Sequence, residues 1–184
     1  MWLLIFLIAV AVTVAFILLT VHLLGRALPP EHAAHGEIVL SADESRVYDI
    51  LADVANYPAW SPVTAVRPLK PDEQGRERWT MRQDRHAFEI TILDRTPTTR
   101  LVHQLRDERN VFGGTWTISL STRTSTPPHT QTRVTITEQG WIRVPIFRFI
   151  MAKLLDPSAN LRAHLDALAK HLGQQATSRR IDAV

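Results

Sequence analysis

"IVLSADESRVYDILADVANYPAWSP", residues 38–62, carries the order of elements on which the fold turns. Around its start, "EIVLSA" reads as a short strand. Ser41 and Glu44, three residues apart, spell a capping box, with the hydroxyl at the N-cap and the carboxylate reaching back to it. Val47, Ile50, Leu51 and Val54 then recur at helical spacing, forming one apolar stripe. After that helix, Tyr57, Pro58, Trp60 and Pro62 crowd into a bend. The prolines fix their own φ and push the preceding residue out of helical geometry. An ordinary surface turn uses Gly, Asn, Asp or Ser. Two large aromatics here need another reason.

Downstream, the period changes to two. Trp79 and Met81 alternate with Arg78, Thr80 and Arg82; Phe88, Ile90 and Ile92 alternate with Ala87, Glu89 and Thr91. Leu101, His103 and Leu105 share a face, as do Trp116, Ile118 and Leu120, and Val134 and Ile136. This is the pattern of half-buried antiparallel strands, apolar inward and polar outward. The connections "KPDEQG", "DRTPTTR" and "RTSTPPHTQT" are rich in turn formers, and no helical crossover separates the strands.

The chain closes with helix. Pro145 suits a first helical position, followed by Ile146, Phe147, Phe149, Ile150, Met151, Leu154 and Leu155. Asp156-Pro157 reads as a fresh start, so a break or kink is expected there. Leu161, Leu165, Leu168 and Leu172 make the next stripe, and Gly173 is a natural stop. One curved sheet has one apolar face to cover, and the C-terminal helix is the long amphipathic element left to cover it. A space incompletely filled by such a helix becomes a pocket.

Upstream, "RALPPEHAAHG" reads as a linker, stopped and stiffened by Pro29 and Pro30. Residues 2–25 before it contain no formally charged side chain. As a helix they would span about 36 Å, enough for a hydrocarbon core of roughly 30 Å. A cleaved signal peptide wants a basic start, a shorter run and a small-x-small site. The run is too long, no Lys or Arg precedes it, and a retained single-pass anchor is the better reading. Arg26 after the span points the following domain to the cytoplasm by the positive-inside rule. The division expected is residues 1–25 anchor, 26–35 linker, 36–173 folded domain and 174–184 flexible tail.

The 184 residues carry a net charge of +3 with the basic groups dispersed, which argues against nucleic acid. There is no cysteine, which excludes disulfides, thiolate metal sites and thiol nucleophiles. No GxSxG, P-loop, HExxH or dinucleotide glycine pattern occurs, and no cofactor is called for. Gly113-Gly114 reads as a bulge or a close approach. His164 and His171, seven apart on the last helix, lack the further ligand a metal site needs.

Three motifs and their order carry a resemblance: the quoted passage, "GTWTISL" and "TRVTITEQG", followed by the closing helix. From about residue 36 to 173 the chain resembles the START/Bet v 1-like (SRPBCC) superfamily, within it the polyketide cyclase/dehydrase and lipid-transport group. The resemblance implies an α+β helix-grip fold, a curved antiparallel sheet wrapped around a long C-terminal helix, here preceded by a single transmembrane helix. It also implies an apolar cavity between sheet and C-terminal helix and a small hydrophobic or lipid-like ligand. It implies no particular reaction.

In such a fold Tyr57 and Trp60 either wall the cavity mouth or plug the core. Trp79, Phe88, Ile90, Trp116 and Ile118 are candidate lining residues from the sheet, and Phe147, Met151 and Leu154 from the C-terminal helix. His103 and Glu138 fall on inward faces. As a buried base and its orienting partner they are catalytic candidates for proton abstraction beside a carbonyl. A polar group that merely orients a ligand is the plainer role. Three functions follow: a membrane-anchored binding module, a cyclase/dehydratase-type lyase, isomerase or hydrolase using the same cavity, and a non-catalytic membrane interaction domain. Binding rather than catalysis is the expectation, with no metal and no nucleic acid.

Overall fold

The computed structural model of the chain describes residues 1–84, 86–124 and 130–181. Helix α1 (Trp2–Arg26) leads into β1 (Glu31–Leu40), α2 (Glu44–Ala52) and a short 3-10 helix (Val54–Ala59). Then come β2 (Ala65–Leu69), β3 (Arg78–Gln83), β4 (His86–Thr96), β5 (Arg100–Asp107), β6 (Phe112–Thr124) and β7 (Thr130–Ile142). Helices α3 (Pro145–Lys153) and α4 (Ala159–His171) and the two-residue strand β8 (Arg179–Arg180) close the order. The strands form one antiparallel sheet in the order β2-β3-β4-β5-β6-β7-β1-β8. This is a helix-grip fold, with a helix long and apolar enough to cross a bilayer placed before it.

Two clusters fill the inner face. Over β1 and β5–β7, the α4 side chains Leu161, Leu165 and Leu168 are wholly excluded from water among Ile38, Leu40, Leu101, Ile118, Val134 and Ile136. Gly36 allows α4 to lie this close: a Cβ there would meet Leu165 Cδ1 at 3.3 Å and Leu161 Cβ at 3.4 Å. Each leucine so buried contributes about 2 kcal/mol by transfer alone. Over β3 and β4 the cover is the bend after α2. Val54, Tyr57 and Val63 pack there on Met81, Ile90 and Ile92. Trp60 packs against both clusters.

The break at Asp156-Pro157 is present. The Asp156 carboxylate accepts from Ser158 N at 2.9 Å and Ser158 Oγ at 2.7 Å, and these bonds lower its pKa. Gly173 ends the last turn at φ +72°, the left-handed geometry glycine adopts freely. Gly113 and Gly114 mark a close approach. A Cβ on Gly114 would stand 2.8 Å from Gly140 Cα, and the Trp141 ring lies over Gly113.

Three boundaries differ from the sequence reading. Residues 31–35, expected in the linker, are strand, paired from Glu31↔Trp141 to His35↔Thr137. The long β7 offers its partner hydrogen bonds over that whole length. Helix α2 starts at Glu44 with Asp43 at the N-cap, and no side chain caps it. Ser41 is drawn away because the Gln174 side chain bonds its N–H at 2.9 Å and its carbonyl at 3.2 Å. The tail expected to be flexible from residue 174 docks instead. Ser178 N donates to Asp166 Oδ1 at 2.7 Å, and Arg179 reaches the buried Glu37 carboxylate at 2.5 Å. The end of that tail, and the β6–β7 connection with His129, lie outside the described residues.

Candidate functional site

The strand register brings inner-face residues into lateral rows. Ile92 (β4), His103 (β5), Trp116 (β6), Glu138 (β7) and Ala34 (β1) stand side by side in one of them. Alternation at each strand dictates their common face. Above the row lie Tyr57, Trp60 and the α4 residue His164. The Trp60 and His164 ring centroids are 4.8 Å apart, Tyr57–His164 5.4 Å, Tyr57–Trp60 5.2 Å and Trp116–His164 5.7 Å. His171, one face-repeat further along α4, is 6.2 Å from Trp60.

The two aromatics of the bend differ in chemistry. Tyr57 is buried and its hydroxyl donates to Leu51 O at 2.7 Å, tying the 3-10 helix to the end of α2. Burial raises its pKa, so it stays a neutral donor. Trp60 is half-buried, and its Nε1 is enclosed without a hydrogen-bond partner. His103 Nε2 is in the same condition. Leaving such a group unpaired costs about 1–3 kcal/mol. Burial drives the His103 pKa from 6.5 down to about 3, and the nearby His164 and Arg95 push the same way. Burial takes His164 down to about 4. Both imidazoles are therefore neutral at pH 7.

His103 and Glu138 do not meet. Trp116 stands between them, and two strand spacings amount to about 9.5 Å. Glu138 turns to His32, with Nε2 to Oε1 3.6 Å, and the His32 ring occupies the space over Gly140. A base with its orienting carboxylate at hydrogen-bond distance is not what the row provides.

Trp79, Phe88, Ile90 and Ile118 also lie on the inner face, through Trp79↔Ile90, Met81↔Phe88 and Ile118↔Ile136. Phe147, Met151 and Leu154 do not join them. The chain breaks after α3, and α3 packs on α1 and the end of β7 instead of continuing over the sheet. Phe147 is 51% and Leu154 70% exposed, while Met151 is half-buried on the same helix. His164 escaped the sequence reading as a site residue. Its place one turn from Leu161 and beside Leu165 was the available signal, but only the folded chain sets it against three aromatic rings.

The open apolar cavity implied between sheet and C-terminal helix is replaced by contact, because the leucines of α4 reach the sheet directly. Among the described residues, hollows lie elsewhere. One of about 100 Å³ is bounded by Ala34, His35, Pro157, Ser158 and Arg180. The other, about 230 Å³, lies among Asp72, Arg76, Arg78, Glu89, Gln104 and Arg106, where Arg78 bonds Glu89 at 2.6 Å. The first, walled in part by Ala33 and Ile181, is too small for an oily guest, and the second is walled by charged and polar side chains.

A model of the family described as "Polyketide cyclase / dehydrase and lipid transport" matches residues 40–160. No curated protein matches the chain. Among solved structures, the ZhuI aromatase/cyclase from Streptomyces sp. R1128 is similar with TM-score 0.62 and 15% identity, covering 78% of this chain and 94% of that one. A hypothetical protein from Helicobacter pylori gives TM-score 0.58 at 13% identity, covering 76% and 87%. The di-domain aromatase/cyclase StfQ of the steffimycin pathway gives TM-score 0.54 at 13% identity, covering 78% of this chain and 52% of that one. At such identities the likeness is one of fold.

Proposed function

The chain belongs to the polyketide cyclase/dehydrase and lipid transport family, and on that premise we propose that it is a membrane-anchored binding module for a small hydrophobic or lipid-like molecule. The ligand site is the aromatic and imidazole cluster over the His103–Trp116 row, and Trp60 is its gate. The observation that carries this reading is the pair of enclosed, unpartnered polar atoms, Trp60 Nε1 and His103 Nε2, among apolar and aromatic walls. A guest with apolar carbon and a carbonyl or hydroxyl would accept from the indole N–H and pair with the imidazole, offsetting the cost of leaving them bare.

Entry requires Trp60 to move. Trp79, Phe88 and Val66, which like Trp60 pack on the β3–β4 cluster, are half-buried, so this flank yields more readily than the leucine layer under α4. Tyr57 holds the bend by its bond to Leu51 O and is structural. Binding is favoured over cyclisation because the two acid–base candidates flank Trp116 instead of facing one reacting atom.

Anchoring is supported by the joint between α1 and the domain. Gly25 is buried against Pro145, where a Cβ would collide with the Pro145 carbonyl, and Arg148 bonds Ile142 O at 2.6 Å and Leu28 O at 3.4 Å. A removable leader has no use for such a fitted seat. Arg26 beyond the span favours a cytoplasmic domain.

The full chain in lipid nanodiscs, titrated with an NBD-labelled fatty acid, tests the site. Saturable binding is expected, weakened at least tenfold in W60A and in H103L at unchanged fold content. Saturable binding that both variants retain in full moves the site elsewhere, and no saturable binding of this probe or of an unlabelled aromatic polyketide competitor ends the reading.

A further inference from the structure

Helix α3 is apolar at seven of its nine positions, yet none of its residues is fully buried. A helix of this composition in a soluble domain would face the core. Here Phe147 is 51%, Leu154 70% and Leu155 54% exposed, and Phe112, on β6 opposite Ile142 three residues before α3, is 41% exposed. Large apolar side chains gathered at one end of a domain mark a contact surface. Their position decides the partner. The seat of Gly25 on Pro145 and the Arg148 bonds to Leu28 O and Ile142 O fix α3 beside the last turn of α1. The apolar span thus ends where this patch begins. Exposed Arg26 ends α1, Arg143 precedes α3 and Lys153 closes it, cations placed to match the phosphate layer of a bilayer.

We propose that α3 and the Leu154-Leu155 step that ends it, with Phe112 beside them, lie in the interface of the same bilayer that α1 enters, the Phe147, Leu154 and Leu155 side chains in the upper acyl region and the neighbouring basic residues among the headgroups. This rests on the anchor reading and deepens it. The domain is held to the membrane at two points and has a fixed face toward it. The register identifies that face. The β3–β4 and β5–β6 turns share the α3 end of the sheet, and the β2–β3 connection lies at the opposite end.

The chain has no cysteine, so single cysteines label cleanly. The full chain is reconstituted in phosphatidylcholine–phosphatidylglycerol liposomes with an NBD label at Val12, Phe147, Leu154 or Glu73. Nitroxide-bearing lipids then report depth. The expected result is quenching at Val12 by a deep nitroxide, quenching at Phe147 and Leu154 by a shallow one, and water-like emission with no quenching at Glu73. Quenching at Val12 alone overturns the interfacial placement of α3 and leaves the anchor standing. Absence of quenching at Val12 overturns both. If labels on α3 are shielded from water but untouched by lipid nitroxides, and spin labels at Leu154 broaden each other, a second copy occupies the patch and the proposal falls.

Discussion

The two halves of the inner sheet face are covered in different ways. Over β1 and β5–β7 a helix lays down a leucine stripe, and Leu161, Leu165 and Leu168 lose all contact with water. Over β3 and β4 a proline-stiffened bend supplies Val54, Tyr57 and Val63, while Trp79 and Phe88 stay half-buried. Regular helix on sheet gives close packing and a dry interior. A short irregular cover leaves partly wetted side chains; bare polar atoms occur at the seam where the halves meet, at Trp60 Nε1 and His103 Nε2, and also on the helix side, at His32 Nδ1 and Arg162 Nε. One half supplies the closely packed core, and the proposed gate lies in the other.

The strongest attack on this contrast is L165A. It should cost about 4 kcal/mol in urea unfolding, since the cavity cannot collapse against the sheet, and leave binding of the NBD-labelled fatty acid within twofold. A binding loss as large as that of W60A would mean that the halves act as one.

Acid comes next. His103 and His164 have folded pKa values lowered to about 3 and about 4, so below pH 6.5 the unfolded chain takes up protons that the native one refuses. Stability is level above that value and falls as pH drops toward 4. By pH 5.5 the two should together cost about 3 kcal/mol, read as a shift of the urea midpoint between pH 7.5 and 5.5. A flat profile would mean that the seam is wetter than its geometry implies.

W60A should cost about 2 kcal/mol, less than L165A, because the indole is only half enclosed. Equality of the two costs, with no separate binding defect, would falsify the gate and leave Trp60 a plug. The smallest effect is the most diagnostic. H103L should gain about 1 kcal/mol at pH 7.5 and roughly halve the acid-induced loss, because an unpaired buried imidazole is replaced by hydrocarbon. A destabilised H103L would show that Nε2 has a partner in the folded chain.

The covered-by-helix half was legible in the sequence. Strict alternation at Trp116–Ile118–Leu120 and Val134–Ile136 fixed the faces, and the leucine repeat of α4 announced its burial. The seam was legible only in outline. The crowd of Tyr57, Pro58 and Trp60 signalled something beyond a turn. Which aromatic is tied down depends on Leu51 O, a backbone atom no pattern reveals. Rows across strands depend on register, so Trp116 falling between His103 and Glu138 could not be counted out along the chain. Phe147 and Leu154 were expected inward and lie exposed, because an apolar helix reads the same in sequence whether it faces a core or an outer surface. The difference came from the break at Asp156-Pro157, which frees α3 from the sheet.

The connection between α1 and β1 is only the four residues Ala27–Pro30, and its ends are fastened by Leu28 N to Gly25 O at 3.3 Å and Ile142 N to Pro30 O at 2.8 Å. A domain on so short a leash has no reach. With α1 in a bilayer it can neither patrol the aqueous phase nor shuttle to a facing membrane, so whatever it captures must be collected and surrendered on the spot, to the leaflet beneath it or to a visitor that comes to it.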